Sequence, residues 1–173
     1  AKALDILEQP QTAAIIDSAS KKPTVFQEVF PIQEPYVYAA IVKEKETQKI
    51  SYEIIEPTLN QDEEKYLNEI KKLLMEELNV NLKEIESKEK ADNYLKQKIK
   101  DLVKKYRIKI PAEAVDKLTY YIIRDFTGYG KIDPLMNDPM IEDISTDGVN
   151  IPIYVWHRLY ESLPTNILFA DAA

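Results

Sequence analysis

The sequence predicts an α+β fold: an N-terminal arm and β-hairpin with a three-helix bundle, followed by the start of a small α/β sheet subdomain. Three observations carry this reading. Apolar residues recur at helical spacing in three successive stretches between residues 61 and 126. A β-rich pair of runs around a charged turn precedes them at 36–56. Past Gly130 the helical period gives way to short β-branched runs separated by Asp-Pro and Asp-Gly. The predicted organisation is an irregular arm over 1–35, hairpin plus helices over 36–126, a Gly/Pro linker over 127–140, and the first strands of an incomplete subdomain over 141–173.

Each element has a local reason. In the arm, prolines at 10, 23, 31 and 35 interrupt every regular candidate, and Ala13 to Ser18 offers a turn or two of helix. Tyr36 to Val42 and Ile50 to Ile55 are β-rich and flank the turn Lys43-Glu44-Lys45-Glu46-Thr47-Gln48. A lone hairpin is marginal in water, so it must pack on something. The first helix, 61–79, opens with Asn60 three residues before Glu63, the spacing of a capping box. Tyr66, Leu67, Ile70, Leu73, Leu74 and Leu78 form its apolar stripe. The second, 88–106, carries Ala91, Tyr94, Leu95, Ile99, Leu102, Val103 and Tyr106 on one face. Lys96, Lys98, Lys100, Lys104 and Lys105 make up much of the rest, which reads as a solvated face because acids lie nearby and no aromatic stripe interleaves them. Pro111 opens the third helix, which runs to Phe126, with Gly128 expected as a left-handed cap. Ile141 to Ser145, Ile151 to Trp156 and Leu163 to Phe169 read as strands, the last broken at Pro164. Alternation places Ile141, Asp143 and Ser145 on one side of their strand, opposite Glu142 and Ile144.

Composition excludes several functions. The 173 residues include no Cys and one His, so thiolate chemistry, Cys-based metal sites and any site needing two histidines are absent from the chain. The three glycines, Gly128, Gly130 and Gly148, lack the spacing of a phosphate loop or a dinucleotide fingerprint. A net charge of −7 argues against a nucleic-acid binder. No apolar run approaches the ~20 residues of a membrane-spanning helix, and no signal peptide is visible, which makes a cytoplasmic location the expectation. The abundance of Lys, Glu and Ile leans toward a thermophile. Beginning at Ala1 and ending at Ala173 without a stop pattern, the chain is expected to be part of something longer.

Candidate chemistry is sparse. His157 has no serine elbow to serve and reads as structural. Glu142, Asp143 and Asp147 lie close in sequence; as paired carboxylates they would suit a hydrolase or a cation, but turn hydrogen bonds at Asp147 and polar contacts are the stronger reading. Arg158 lies alone among the arginines in the β region, at a strand end. There it could clamp a phosphate in trans, against the plainer reading of a surface ion pair. No catalytic or metal-binding residue is assigned. A freestanding helical adaptor, adhesive through Tyr36, Tyr38 and Tyr52, is the alternative function.

The run Thr127-Gly128-Tyr129-Gly130-Lys131-Ile132-Asp133-Pro134-Leu135-Met136, then Asp138-Pro139, Ile141-Glu142-Asp143-Ile144, Asp147-Gly148 and Ile151-Pro152-Ile153-Tyr154-Val155, resembles the N-terminal region of secretion-superfamily ATPases. The likeness is to archaeal type II/IV secretion, pilus and archaellum assembly ATPases; it covers about residues 30–170 and is strongest over 127–167, with a second block, Pro35 to Val42 and Tyr52 to Leu59, agreeing in order. It marks Gly128, Gly130, Asp133, Pro134, Asp143, Asp147 and Gly148 as motif positions. It implies a helical first subdomain, an α/β second one, and a downstream motor that binds ATP and Mg, with no cofactor held by this stretch. It further implies a homo-hexamer docked on a polytopic membrane platform protein and accessory proteins, cytoplasmic and peripheral at the inner face of the membrane, with Arg158 turned toward nucleotide held by the motor.

Overall fold

The computed structural model describes residues 24–170. The described residues form two compact units, one from those up to Pro57 together with those from Pro134 onward, the other from Thr58–Asp133. The first is a mixed six-stranded sheet. Its strands are β1 (Thr24–Gln33), β2 (Val37–Glu44), β3 (Ile50–Ile55), β4 (Ile141–Ser145), β5 (Pro152–His157) and β6 (Glu161–Leu168), in the spatial order β1-β2-β3-β6-β5-β4. Every neighbouring pair is antiparallel except β3 and β6, which run parallel. The architecture is therefore α+β, as expected, but the hairpin belongs with the C-terminal strands and not with the helices. A hairpin must cover its face and satisfy its edge, and β6 does the second where an amphipathic helix could not.

That junction is narrow. One backbone pair, Tyr52 with Thr165, defines the parallel register. Beside it the Asn166 side chain spans the gap: its Oδ1 accepts from the Ile54 N–H at 2.8 Å and its Nδ2 donates to the Ile54 carbonyl at 2.9 Å. The amide thus supplies a side-chain rung in a ladder of few backbone rungs.

Three strand expectations need correction. Residues 24–33, placed in an irregular arm, form edge strand β1, with register shifts between Phe26 and Glu28 and between Pro31 and Gln33. Pro31 is tolerated because an edge strand needs only half of its backbone groups paired. Residues 1–23, including the helical turn expected at 13–18, lie outside the described residues. Strand β6 is continuous through Pro164, which sits opposite Tyr154 next to a register shift in β5. In β4, a shift between Ile141 and Asp143 inserts an extra residue, so Glu142 and Asp143 are both exposed while Ile141 and Ile144 both turn partly inward. Simple alternation, which placed Glu142 and Asp143 on opposite faces, fails across a bulge.

The second unit packs three helices, α1 (Gln61–Glu77), α2 (Lys88–Lys105) and α3 (Ala112–Phe126), around one core. Leu67, Ile70 and Leu74 from α1 meet Leu95, Ile99 and Leu102 from α2 and Leu118 and Ile122 from α3, all buried. Each such side chain contributes about 1.5–3 kcal/mol on leaving water. The capping box forms as the sequence predicts: Asn60 Oδ1 accepts from the Glu63 N–H at 2.9 Å, and Glu63 Oε2 accepts from the Asn60 N–H at 3.0 Å. Ser87 caps α2 by accepting from the Lys90 N–H.

Candidate functional site

The strongest concentration of polar chemistry in the sheet unit surrounds Asp138. This residue lies between a helical turn and β4, where an Asp-Pro step favours a turn. Its Oδ2 accepts from the Tyr52 hydroxyl at 2.5 Å and its Oδ1 from the Met140 N–H at 2.8 Å, both carboxylate oxygens being engaged in a buried setting. Burial first, and the Asp138 carboxylate second, hold the Tyr52 phenol far above its ordinary range, so it stays protonated and donates. Tyr52 is fully buried, which removes it from the adhesive surface of the adaptor alternative; Tyr36 and Tyr38 are half-buried.

The ring of His157 lies 6.2 Å from that of Tyr52 and 5.2 Å from that of Tyr160. Its Nδ1 accepts from the Leu159 N–H at 3.1 Å, which leaves the ring proton on Nε2. That buried Nε2 finds no partner among the described residues. His157 is a packed element of the sheet interior that also shapes the turn after β5. Tyr52, Asp138 and Asn166 were not singled out from sequence as a set, and the one local signal was that a buried strand tyrosine needs a partner for its hydroxyl.

Arg158 leads out of that turn. Its N–H donates to the Met140 carbonyl at 2.9 Å, while its side chain, 56% exposed, places Nε 3.3 Å from Glu142 Oε1. An ion pair this open is worth under ~1 kcal/mol, so the guanidinium is held in place yet easily released to another anion. The exposed carboxylates Glu142 and Asp143 have no general-acid setting: Glu142 faces Arg158 and Asp143 lies opposite Trp156 in the ladder. Strand β5 turns Ile153, Val155 and His157 inward and Pro152, Tyr154 and Trp156 outward. Across the ladders Trp156 is opposite Asp143 and Ser162, and Tyr154 is opposite Ser145 and Pro164. The result is an exposed aromatic stripe flanked by hydroxyls and an acid, the composition of a protein-contact surface.

The glycine motif serves the helical unit in an unexpected way. Gly128 is not a left-handed cap; among the glycines the positive φ values fall at Gly130 (61°) and Gly148 (140°). A Cβ on Gly128 would lie 2.5 Å from Asp133 Oδ1 and 2.7 Å from the Arg124 carbonyl, so the position excludes a side chain by contact. The buried Asp133 accepts from the Tyr129 N–H at 2.9 Å. The loop therefore closes its amide on its own carboxylate, an arrangement that repels a phosphate and does not fit a nucleotide site. Pro134 is buried directly after it. Asp147 is exposed and within 3.4 Å of the Ser145 hydroxyl, in the turn that Gly148 completes. Among the described residues no cluster of His, Asp and Glu is placed to hold a metal, and no helix is long and apolar enough to cross a membrane.

No family model matches the chain. It is similar to the uncharacterized protein MJ1288 of Methanocaldococcus jannaschii, 44% identical over 118 residues that make up 68% of this chain and 46% of that protein. It is also similar to the uncharacterized protein MJ0900 of the same organism, 32% identical over 161 residues, covering 83% of this chain and 29% of that protein. The chain thus spans less than half the length of these archaeal relatives.

Proposed function

We propose that this chain is the non-catalytic N-terminal portion of a hexameric ATPase that powers protein secretion or the assembly of a type IV pilus or archaellum filament. The observation that carries the reading is the ordered block from Thr127 to Ile167 and its resemblance to archaeal ATPases of that kind. Two further points support it. More than half of each similar archaeal protein lies outside the aligned stretch, leaving room for a motor. The sheet unit presents an exposed aromatic stripe and a weakly held Arg158, features suited to docking and to contact with an anion in trans.

In this reading the sheet unit opens an α/β subdomain that downstream sequence extends. ATP and Mg belong to the motor, and the present residues position it, transmit its movement and dock on the membrane platform protein and its accessories from the cytoplasmic side. Arg158 is the residue turned toward nucleotide. The test compares ATP turnover by the 173-residue chain with that of the longer protein. Turnover confined to the longer protein, reduced tenfold or more by Arg158→Ala, is expected; a full arginine finger contributes on the order of 10³ or more. Turnover by the short chain alone, or none in either, overturns the proposal.

A further inference from the structure

The second helix carries more cations than its neighbours neutralise, and the excess lies in one line. Lys88 pairs with Asp92, Lys90 with Glu86, and Lys105 with Glu77 across the α1–α2 contact. Lys96, Lys100 and Lys104 are also exposed, at successive i, i+4 positions of α2, and none of the three has an acidic partner among the described residues. Residues four apart are neighbours on a helix surface, so three like charges stand in a row and repel one another. In a chain of net charge −7 this row is not a by-product of a basic composition.

Alongside it runs an apolar trough of about 270 Å³ between α2 and α3. Its floor is Ile70, Ile99 and Leu118, all buried, and its walls include Val103, Ile110 and Val115. Val115 is 38% exposed, so the wall on the α3 side is open to water. Lys100 and Lys104 line the same trough, and Lys96 continues their row one turn further along the helix. Thr119, also in the lining, donates its hydroxyl to the Val115 carbonyl, so it offers its methyl and not a polar handle. A cavity of roughly 150 Å³ holds a benzene ring, so this trough has room for two bulky apolar side chains.

We infer that the α2–α3 trough is a docking groove for an acidic amphipathic helix of a partner protein. An apolar floor beside a single row of cations matches a helix with apolar anchors at i, i+3, i+4 and i+7 and carboxylates at i+4 spacing along one flank. Asp92 and Asp101 on the same helix are engaged by Lys88, Thr127 and Gln97, so the row gains from the partner the ion pairs that it lacks, and charge selects the partner while the trough provides the anchor. The inference stands on the helical unit alone and is independent of the proposed ATPase role.

The probes are two synthetic amphipathic helical peptides of about four turns. They share the same apolar positions and differ only in carrying Glu or Lys along the flank. Binding to the 173-residue chain is read by methyl NMR shifts of Val103, Ile110 and Val115 and by titration. The Glu peptide is expected to shift all three methyls and to bind about tenfold or more tightly than the Lys peptide. Lys100→Glu with Lys104→Glu should reverse that preference, and Val115→Gln should weaken both peptides by placing an uncharged polar side chain in the apolar wall. All of these positions are at the surface or rim, and unchanged helical ellipticity confirms folding. Equal affinity for the two peptides, shifts outside the trough, or no binding overturns the inference. So does binding to vesicles of equal phosphatidylglycerol and phosphatidylcholine that is lost in the Lys→Glu variant while the Glu peptide fails to bind, since the row would then serve a membrane surface.

Discussion

Replacing Gly128 with alanine should be among the most damaging small changes in the helical unit, and the reason is steric. The new Cβ would come within 2.5 Å of Asp133 Oδ1 and 2.7 Å of the Arg124 carbonyl, where ordinary contact begins at 3.4 Å. The carbonyl belongs to α3 and cannot move without breaking the helix end, where the N–H groups of Thr127 and Gly128 both donate to the Ile123 carbonyl. The carboxylate can move, but only by giving up the Tyr129 N–H. Losing a hydrogen bond to a charged acceptor costs about 1.5–3 kcal/mol, and overpacking adds about 1–3 kcal/mol, giving a loss of about 2.5–6 kcal/mol. Gly130→Ala is the comparison. Its φ of 61° is unfavourable to alanine, at roughly 1–2 kcal/mol, but the nearest neighbouring atom is 4.0 Å from the added Cβ. Urea unfolding followed by helical ellipticity reports this unit, while Trp156, the only tryptophan, reports the sheet. In an Asp133→Ala background Gly128→Ala should cost at least ~1 kcal/mol less than in the native chain, because one of its two collisions has been removed. If Gly130→Ala is the costlier single change, or the two substitutions at 128 and 133 are additive, the steric account is wrong.

The remaining predictions concern polar groups that join separate elements. Burial alone would raise the Glu63 carboxyl, but Lys117 and the Asn60 N–H outweigh it and hold the group below the ordinary carboxylate range. A depressed folded-state value means that the stabilisation is present above pH ~4.5 and is lost as pH falls through the lower folded value. Lys117→Met should therefore cost about 2 kcal/mol at neutral pH, with the difference from the native chain shrinking on acidification, as read by urea midpoints across pH. Tyr52→Phe leaves Asp138 Oδ2 without its buried donor and should cost about 1.5–3 kcal/mol in Trp156-detected unfolding; in the native chain, alkaline absorbance titration should leave Tyr52 un-ionised until unfolding, and Tyr52→Phe should remove one tyrosine from the group that ionises only then. Asn166→Ala removes both side-chain bonds to Ile54 and should cost about 1–3 kcal/mol by the same probe.

What the sequence could disclose depended on how far apart the interacting residues are. The helices, the Asn60–Glu63 box and the hairpin turn are set by neighbours within four or five positions, and the α+β class followed from them. Strand β1 was hidden because prolines that break a helix are permitted at a sheet edge. The pairing of Tyr52 with Thr165 leaves no trace in local pattern, because nothing in Ile50 to Ile55 shows which of several strands will satisfy its second edge. The Asn166 clamp and the Tyr52–Asp138 bond are consequences of that pairing and were equally hidden. Gly128 is required for a reason that its place in the sequence does not show: a glycine after a helix fits a left-handed cap, and only the approach of Asp133 reveals that space, not φ, is the constraint.

The residues of the block that carries the resemblance therefore divide by what the fold asks of them. Gly128 and Asp133 close a loop, Asp138 ties a turn to β3, and Gly148 completes a turn; each would be required of this chain even if it contacted nothing else. Tyr154, Trp156 and Arg158 are different. Their side chains reach water, Trp156 at 46% exposure, and the only ion pair of Arg158 among the described residues is the open one to Glu142. Exposed aromatics side by side do little to stabilise a sheet and invite association. Trp156→Ser and Arg158→Ala should consequently change the stability of the sheet unit by less than ~0.5–1 kcal/mol, as followed by hydrogen exchange of the Val155 and Leu163 amides. A loss larger than that would mean that these side chains hold the sheet together, and a functional role for the β5 face would lose its physical basis. Near-neutral stability instead makes this face the place where substitutions separate folding from work, so a loss of activity in the longer protein could be assigned to contact and not to collapse.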